Sequence, residues 1–180
     1  MAYRAEAFQV KEEICIYFYG SCLNNNQKDL SKRKTYGCYI ISPVEKSHNI
    51  EIFDSTAKTS NEAEYDALIH ALKKVKEFFP DITSYRFIIR GDSNLVVNQT
   101  TGHFRKVKNN LLPFLRTVRF LLGQIGEYEI HHVHRERNPA GRVLEAFIKN
   151  PSSWDYRLAL DKSEFVDKLL KSYYSSQVSP

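Results

Sequence analysis

Glu64 is the first residue whose position suggests chemistry. It lies in TSNEAEYDALIHALKKVKEFF, a pattern that predicts a helix, and it shares one helical face with Leu68, Ala71 and Val75. That apolar face must pack on the rest of the protein. A carboxylate turned inward costs free energy unless it is paired or bound to a metal ion, so the position favours a special role for Glu64.

Asp92 is a second candidate, because it directly follows the apolar strand pattern YRFIIRG. Together with Ser93 it stands where the next predicted helix, NLVVNQTTG, needs an N-cap, and such a cap alone would explain an aspartate. A carboxylate at the end of a strand can also serve a functional site, and the two roles are compatible.

Three histidines, His131, His132 and His134, lie in the alternating pattern EYEIHHVH, which predicts a strand. Two of them would lie on one face of the strand and one on the other. Since this arrangement is poor for tetrahedral coordination, we interpret them as histidines of a sheet and predict no metal site there.

Composition limits the classes of protein to consider. The chain has 180 residues, 42% of them hydrophobic and 26% charged, which is typical of one soluble domain with or without a tail. No apolar run approaches the ~20 residues of a membrane span, and the first residues lack the apolar core of a signal peptide. Three cysteines without metal-site spacing predict reduced thiols in a cytoplasmic or nuclear protein. The net charge of +5 fits a polyanionic partner, and it fits plain solubility as well.

The elements that must position these residues form a mixed pattern. After three strands, helices and strands alternate, which predicts an α/β fold with a mixed sheet and helices on its faces. The first long helix is predicted to be capped by Ser60 or Asn61, and Pro113 suits only the first turn of a later helix. The predicted strands are about Ile14–Tyr19, Thr35–Ser42, Asn49–Asp54, YRFIIRG and EYEIHHVH, and AGRVLEAFIK forms the last helix.

The character of the chain changes near Pro151, so we predict a domain over 1–150 and a tail over 151–180. The tail begins with linker-like residues and contains a short amphipathic pattern around Ser163–Tyr173. Such a helix either packs on its own domain or binds a protein partner.

Four segments in order resemble the type 1 ribonuclease H family: YGSCLNN, TSNEAEYDAL, RGDSNLVVNQTTG followed by VKNNLLP, and HHVHRERNPAGRVLEA. In the last segment the family typically reads Arg-Glu-x-Asn-x-x-Ala-Asp-x-Leu-Ala. The resemblance covers about Glu12 to Lys149. It implies a ribonuclease H-like five-stranded mixed sheet flanked by helices, and an ancestry of enzymes that hydrolyse the RNA strand of RNA–DNA hybrids.

The resemblance also implies a degenerate catalytic site. Hydrolysis with two divalent ions about 4 Å apart needs carboxylates to hold them, and the family supplies four. Their positions here are Tyr19, Glu64, Asp92 and Arg142, so two carboxylates remain. A phenol is a poor ligand for Mg²⁺, and Arg142 brings a permanent cation to a site built for cations. Glu145 occupies a small-residue position of the family and is a weak substitute.

We therefore expect no intact catalytic residue set and no cofactor, with Mg²⁺ expected only if the degenerate site is still active. If the fold is right, Glu64 and Asp92 converge without a metal ion, and two nearby anions would repel each other. Arg142 is predicted to supply the compensating cation by hydrogen-bonding at least one of them, with Tyr19 forming a wall of the same pocket.

Residues of the kind that touch nucleic acid in the family are retained. Small and polar side chains match contacts to ribose hydroxyls and to a phosphate, although an arginine common in the family is replaced by Ala57. Two basic loops, QKDLSKRK and HFRKVK, could flank a backbone track. The predicted contacts are Cys22, Asn25, Lys32, Arg33, Lys34, Lys58, Thr59, Asn61, Asn94, Phe104, Arg105, Lys106 and Lys108.

Three hypotheses follow. The first is a catalytically inactive ribonuclease H-like domain that binds RNA, a duplex or an RNA–DNA hybrid. The second is a pseudoenzyme scaffold that binds a protein partner through its tail. The third is a weak residual metal-dependent ribonuclease, against which Tyr19 and Arg142 argue.

Overall fold

A computed structural model describes residues 11–44, 47–151 and 171 of the chain. Its centre is one mixed five-stranded sheet with the strand order β3-β2-β1-β4-β5. The strands are β1 (Glu12–Leu23), β2 (Lys34–Val44), β3 (Ser47–Ser55), β4 (Tyr85–Gly91) and β5 (Glu127–His132). Neighbours β1, β2 and β3 pair antiparallel, whereas β4 runs parallel to β1 and β5 parallel to β4. The predicted α/β class and mixed sheet are confirmed.

Between residues 11 and 151, four α-helices cover the two faces of the sheet. They are α1 (Ser60–Phe78), α2 (Asn94–Thr101), α3 (Leu112–Leu122) and α4 (Pro139–Lys149). The larger core forms where apolar residues of α1 and α3, such as Leu68 and Val118, meet Ile16 and Ile89 of the sheet. A smaller core forms on the opposite face, where Val143 and Leu144 of α4 pack against Cys38 and Ile40. Helices on both faces leave the end of β1 between α1 and α4.

A capping residue, a proline and a glycine determine where three of the helices begin or end. Thr59, rather than the predicted Ser60 or Asn61, caps α1 by accepting a hydrogen bond from the Glu62 amide. Pro113 lies in the first turn of α3, as predicted, where its missing N–H has no partner to lose. Gly102 ends α2 at φ +86°, a left-handed conformation that favours glycine.

Within the described residues, no helix is both long enough and apolar enough to cross a membrane. Nearly all of the predicted tail, including the amphipathic pattern Ser163–Tyr173, lies outside the described residues apart from Lys171. The boundary at residue 150 therefore stays a prediction.

Candidate functional site

The candidate site lies at the carboxyl ends of β1 and β4. Tyr19 is 5% exposed and belongs to the smaller core with Ala140 and Val143 of α4. A Cβ atom added to Gly141 would lie 3.5 Å from the Tyr19 ring, which places the ring directly against the first turn of α4. The phenol thus fills space between the sheet and α4.

Glu64 reaches the same region from the other face, through an unusually close approach of α1 to β1. A Cβ atom on Gly20 would lie 2.1 Å from the Ala63 carbonyl carbon, so only glycine permits this contact. The Gly20 amide can then hydrogen-bond the Glu64 carboxylate. Glu64 is 6% exposed, and its Oε2 atom has no hydrogen-bond partner among the described residues. Burial, followed by the nearby charge of Asp92, raises the pKa of Glu64 well above its usual range.

Asp92 sits directly after β4 and is free of the capping role. Ser93 caps α2 by accepting a hydrogen bond from the Val96 amide at 3.3 Å, which leaves the Asp92 carboxylate for other partners. Its Oδ1 atom accepts a hydrogen bond from Asn138 Nδ2 at 3.3 Å. Burial raises the pKa of Asp92, and the Asn138 hydrogen bond opposes that rise.

Asn138, at the start of α4, links several parts of the site by hydrogen bonds. Its Nδ2 atom also donates to the Phe18 carbonyl at 2.9 Å, and its Oδ1 atom accepts from the Ala140 amide at 3.2 Å. The side chain is fully buried and links β1, Asp92 and the N-terminus of α4.

Arg135 supplies the cation of the site. Its Nη2 atom donates to the Tyr19 hydroxyl, and its guanidinium carbon lies 5.1 Å from the centre of the Tyr19 ring. The same guanidinium pairs with Glu145, with Nη2 2.6 Å from Oε1. Burial raises the pKa of Tyr19 to about 12 against the opposing charge of Arg135, so the phenol is neutral at physiological pH.

The residues present do not fit a pair of divalent ions. Of the four positions that carry carboxylates in the family, only Glu64 and Asp92 keep them, a neutral phenol stands at the end of β1, and the nearby Glu145 carboxylate is paired with Arg135. The described part of the chain contains no group of three or more His, Cys, Asp or Glu side chains placed to hold a metal ion. His131 and His132 are exposed at the end of β5, where they bond Glu129 and the Asp92 carbonyl, and His134 follows in a loop.

Comparison with known proteins places this geometry in a family. Residues 50–144, more than half of the chain, match the family model described as reverse transcriptase-like. Ribonuclease HI of Halobacterium salinarum is 41% identical over 87 residues, which span 48% of this chain and 41% of that protein. The chain belongs to the ribonuclease H family.

Solved structures confirm the ribonuclease H fold. The RNase H1 structure from Halobacterium salinarum NRC-1 matches at 26% identity with a TM-score of 0.59, over 73% of this chain and 93% of that one. LC11-RNase H1, isolated from compost, matches at 23% identity with a TM-score of 0.65, over 78% of this chain and 99% of that one. The match to the curated ribonuclease HI covers less than half of that relative's length.

The prediction for Arg142 was wrong. Its side chain is exposed, and it makes no hydrogen bond or ion pair with any residue that the structure describes. The neighbouring Gly141 and Val143 face inward, so helical geometry turns residue 142 outward. The cation expected from Arg142 comes instead from Arg135, and it bonds Tyr19 and Glu145 rather than Glu64 or Asp92 directly.

One basic residue of the first basic loop, QKDLSKRK, holds the loop in place and is not available to a ligand. The Arg33 guanidinium donates to the Gln27 carbonyl at 2.6 and 2.9 Å and to the Lys58 carbonyl at 2.7 Å, so it fastens the loop to the segment before α1. Lys34 and Lys58 are exposed and line a groove of about 450 Å³ with Arg33. Lys32 is exposed beside Asp29, at 4.0 Å. These lysines remain available to a polyanion, whereas most donors of Arg33 are occupied.

The predicted polar contacts differ in accessibility. Cys22 is buried, and its thiol lies 3.8 Å from the Lys58 carbonyl, so its side chain is a poor ligand for a ribose hydroxyl. Asn25 and Asn61 are exposed, while Thr59 is half-buried and occupied as the cap of α1. Asn94 is exposed and bonds Asn98 within α2.

The second basic loop, residues 102–111, joins α2 to α3. It exposes Phe104, Arg105, Lys106 and Lys108, as the prediction requires. Two buried side chains fasten it. Gln99 Nε2 donates to the Lys106 carbonyl at 3.0 Å, and Glu62 Oε1 accepts from Asn110 Nδ2 at 2.7 Å.

Sequence reasoning missed Arg135, Glu62 and Gln99 as residues that organise the site. Arg135 belongs to the Arg-Glu-x-Asn pattern, and that pattern was the available signal. Glu62 carries a capping-box signal, three residues after Thr59, and it accepts from the Lys58 amide at 2.7 Å. Gln99 gave no signal, since nothing local distinguishes it from an exposed helical glutamine.

Replacing Asn138 by alanine is expected to destabilise the domain by about 2–4 kcal/mol. The change removes the cap of α4, worth about 1 kcal/mol, and leaves the buried Phe18 carbonyl without its partner, at about 1–3 kcal/mol. Denaturant unfolding measures the difference. Asn61→Ala, on the exposed first turn of α1, is the matched control and is expected to change stability by less than about 0.5 kcal/mol. Equal effects in the two variants would contradict the role assigned to Asn138.

Proposed function

We propose that this ribonuclease H-like domain binds an RNA–DNA hybrid or RNA without cleaving it. The observation that carries the proposal is Tyr19, which stands buried at the end of β1 with its hydroxyl bonded to Arg135. In the family this position carries a carboxylate of the metal site.

Both the charge of the site and its reduced number of carboxylate ligands support the loss of cleavage. A neutral phenol offers no negative charge to a divalent ion, and the Arg135 guanidinium beside it repels one. No metal or other cofactor is needed for the proposed binding.

Binding is supported by the relatives and by the two basic loops. LC11-RNase H1 has been solved in complex with an RNA/DNA hybrid, and it shares this fold with a TM-score of 0.61. Here the exposed lysines of the first loop and the basic residues of loop 102–111 offer positive charge at two separate places. A nucleic-acid backbone that contacted both would release its own condensed counterions at each contact.

Alanine at the basic positions should weaken hybrid binding and flatten its salt dependence. We expect the combined variant of Lys32, Lys34, Arg105, Lys106 and Lys108 to bind less tightly at low salt. Each phosphate that the protein no longer neutralises reduces the slope of log K against log salt concentration by about 0.9 on B-form DNA. Fluorescence anisotropy across a salt series measures both quantities.

Lys73→Ala combined with Lys149→Ala provides the matched control, because both lysines are exposed on helices away from the two loops in sequence. An unchanged affinity and slope in the loop variant, with the control also unchanged, would show that these loops do not hold the backbone. Arg33 is left intact, since its replacement would release the first loop itself.

The scaffold hypothesis remains the alternative. It is favoured if the full chain binds no RNA, duplex, hybrid or DNA at low salt, yet captures a defined protein partner that a chain ending at residue 151 does not capture.

A further inference from the structure

A pocket of about 320 Å³ lies between loop 102–111 and α3. Its apolar lining comes from Phe104, Val107, Leu112 and Leu115, and its charged lining from Arg105 and Arg119. We call this the Phe104 pocket. Its volume is at the lower end of the range for small-molecule sites, large enough for one planar ring system.

The aromatic wall of the pocket is exposed and held in place. Phe104 is 44% exposed, which is uncommon for a phenylalanine and leaves a ring face for a partner. Its backbone amide donates to the Asn98 carbonyl at 2.9 Å, directly after the left-handed turn at Gly102. The Gln99 bond to the Lys106 carbonyl fixes the next part of the loop. The wall is therefore positioned before any ligand arrives.

The guanidinium groups of the pocket favour a ligand that carries a negative charge. Arg119 donates through Nη2 to the Gln99 carbonyl at 3.0 Å, which holds its side chain against α2. Arg105 makes no hydrogen bond or ion pair with any described residue and is exposed. Among the residues that the structure describes, no carboxylate lines the pocket. A ligand that is flat, partly apolar and attached to a negative charge matches all of these features.

We propose that the Phe104 pocket holds an unpaired nucleobase of a bound nucleic-acid strand. The base stacks on the Phe104 ring, and Arg105 neutralises the phosphate next to it. The domain would then recognise a hybrid with an unpaired extension in preference to a blunt one. This inference rests on the proposed function, because it assigns one nucleotide of the same ligand to a defined pocket.

A duplex cannot use the pocket in this way. Inside a duplex a paired base is stacked on both sides and presents only its edge, whereas an unpaired base can leave the stack and place its whole face on an aromatic side chain. The pocket thus favours binding at unpaired strand ends and junctions over continuous duplex, and this preference does not depend on the identity of the base.

The test compares a short blunt RNA–DNA hybrid with the same hybrid carrying an unpaired extension on either strand. We expect the wild-type chain to bind an extended hybrid about tenfold more tightly, as a stacked base on an aromatic ring allows. Phe104→Ala should reduce the ratio of extended-hybrid to blunt-hybrid affinity to about one, and Phe104→Trp should keep the wild-type ratio. Phe120→Ala is the matched control, since Phe120 is 66% exposed on α3 and does not line the pocket.

The outcomes separate the two proposals. If blunt and extended hybrids bind equally, or if Phe104→Ala weakens both to the same extent, the pocket does not hold an unpaired base although the domain still binds hybrid. If no nucleic acid binds, the proposed function fails and this inference fails with it. Tighter binding of an aromatic acidic peptide than of the extended hybrid would also overturn the assignment.

Discussion

The double variant Tyr19→Asp/Arg142→Asp is expected to cleave the RNA strand of a hybrid in Mg²⁺, whereas the wild-type chain is expected to show no cleavage in Mg²⁺ or Mn²⁺. The double change restores four acidic residues at the four positions that the family uses. Three of them lie at the ends of β1 and β4 and on the buried face of α1, and the fourth lies on the first turn of α4. The three carboxylates at the ends of β1 and β4 and on α1 supply oxygen ligands of the kind that divalent ions require, and the fourth adds negative charge nearby.

Tyr19→Asp alone is expected to remain inactive because of Arg135. Arg142 is exposed and blocks nothing among the described residues. Arg135, however, already donates to the side chain at position 19 and would form an ion pair with a carboxylate placed there. Arg142→Asp replaces an exposed cation by an anion on the first turn of α4, next to the Gly141 contact with residue 19, and this change of charge favours divalent ions over that pair.

A gel assay with end-labelled hybrid measures the gain of cleavage. The uncharged variant Tyr19→Asn/Arg142→Asn is the matched control and should be inactive, and Glu64→Gln added to the acidic double variant should remove its activity. Metal-dependent cleavage by the wild-type chain that disappears in Glu64→Gln would instead establish the residual nuclease hypothesis.

The sequence predicted the helices and strands of this fold well. Hydrophobic periodicity, and the glycine, proline and capping residues that end these elements, are local properties of the chain. The strands extend beyond their predicted ends, as β1 does from Tyr19 to Leu23, since ladder pairing with β2 continues past the apolar alternation. The cap of α1 was misplaced by one residue because Thr59, Ser60 and Asn61 are all good caps, and only backbone geometry selects among them.

The charges of the site were harder to predict than its position. Alignment of the motifs placed residue 142 correctly on α4, but it carried no information on the direction of a long side chain. Arg135 lies in a short 3₁₀ turn before α4, seven residues earlier, and reaches Tyr19 only because that turn folds over the end of β1. Contacts of this kind depend on loop geometry, which no periodic pattern encodes.

Glu64→Gln is expected to stabilise the domain at neutral pH, which is unusual for a buried polar residue. Burial raises the pKa of Glu64 in the folded state, so the folded state binds a proton more tightly than the unfolded state does. The stability contribution of this group is fully present below the unfolded pKa of about 4.3 and is lost as the pH rises toward the folded pKa. Asp92, whose pKa is also raised, acts in the same direction.

The amide of glutamine avoids this loss without breaking a hydrogen bond. Its oxygen can still accept from the Gly20 amide, and its nitrogen replaces an Oε2 atom that already has no described partner. Glu62→Gln is the matched control on the same helix. Both Glu62 oxygens accept hydrogen bonds, from the Lys58 amide and from Asn110, so an amide nitrogen would face a donor and lower stability.

Thermal unfolding of both variants across pH 4 to 8 tests this account. The melting temperature of Glu64→Gln should equal that of the wild type near pH 4 and exceed it increasingly toward neutral pH, by about 2–4 °C for each kcal/mol gained. Glu62→Gln should melt below the wild type at neutral pH. If Glu64→Gln instead melts lower at neutral pH, Glu64 is ionised and paired with a cation there. Stabilisation of the wild type by Mg²⁺, absent from Glu64→Gln, would then identify that cation as a metal ion and contradict the metal-free site proposed here.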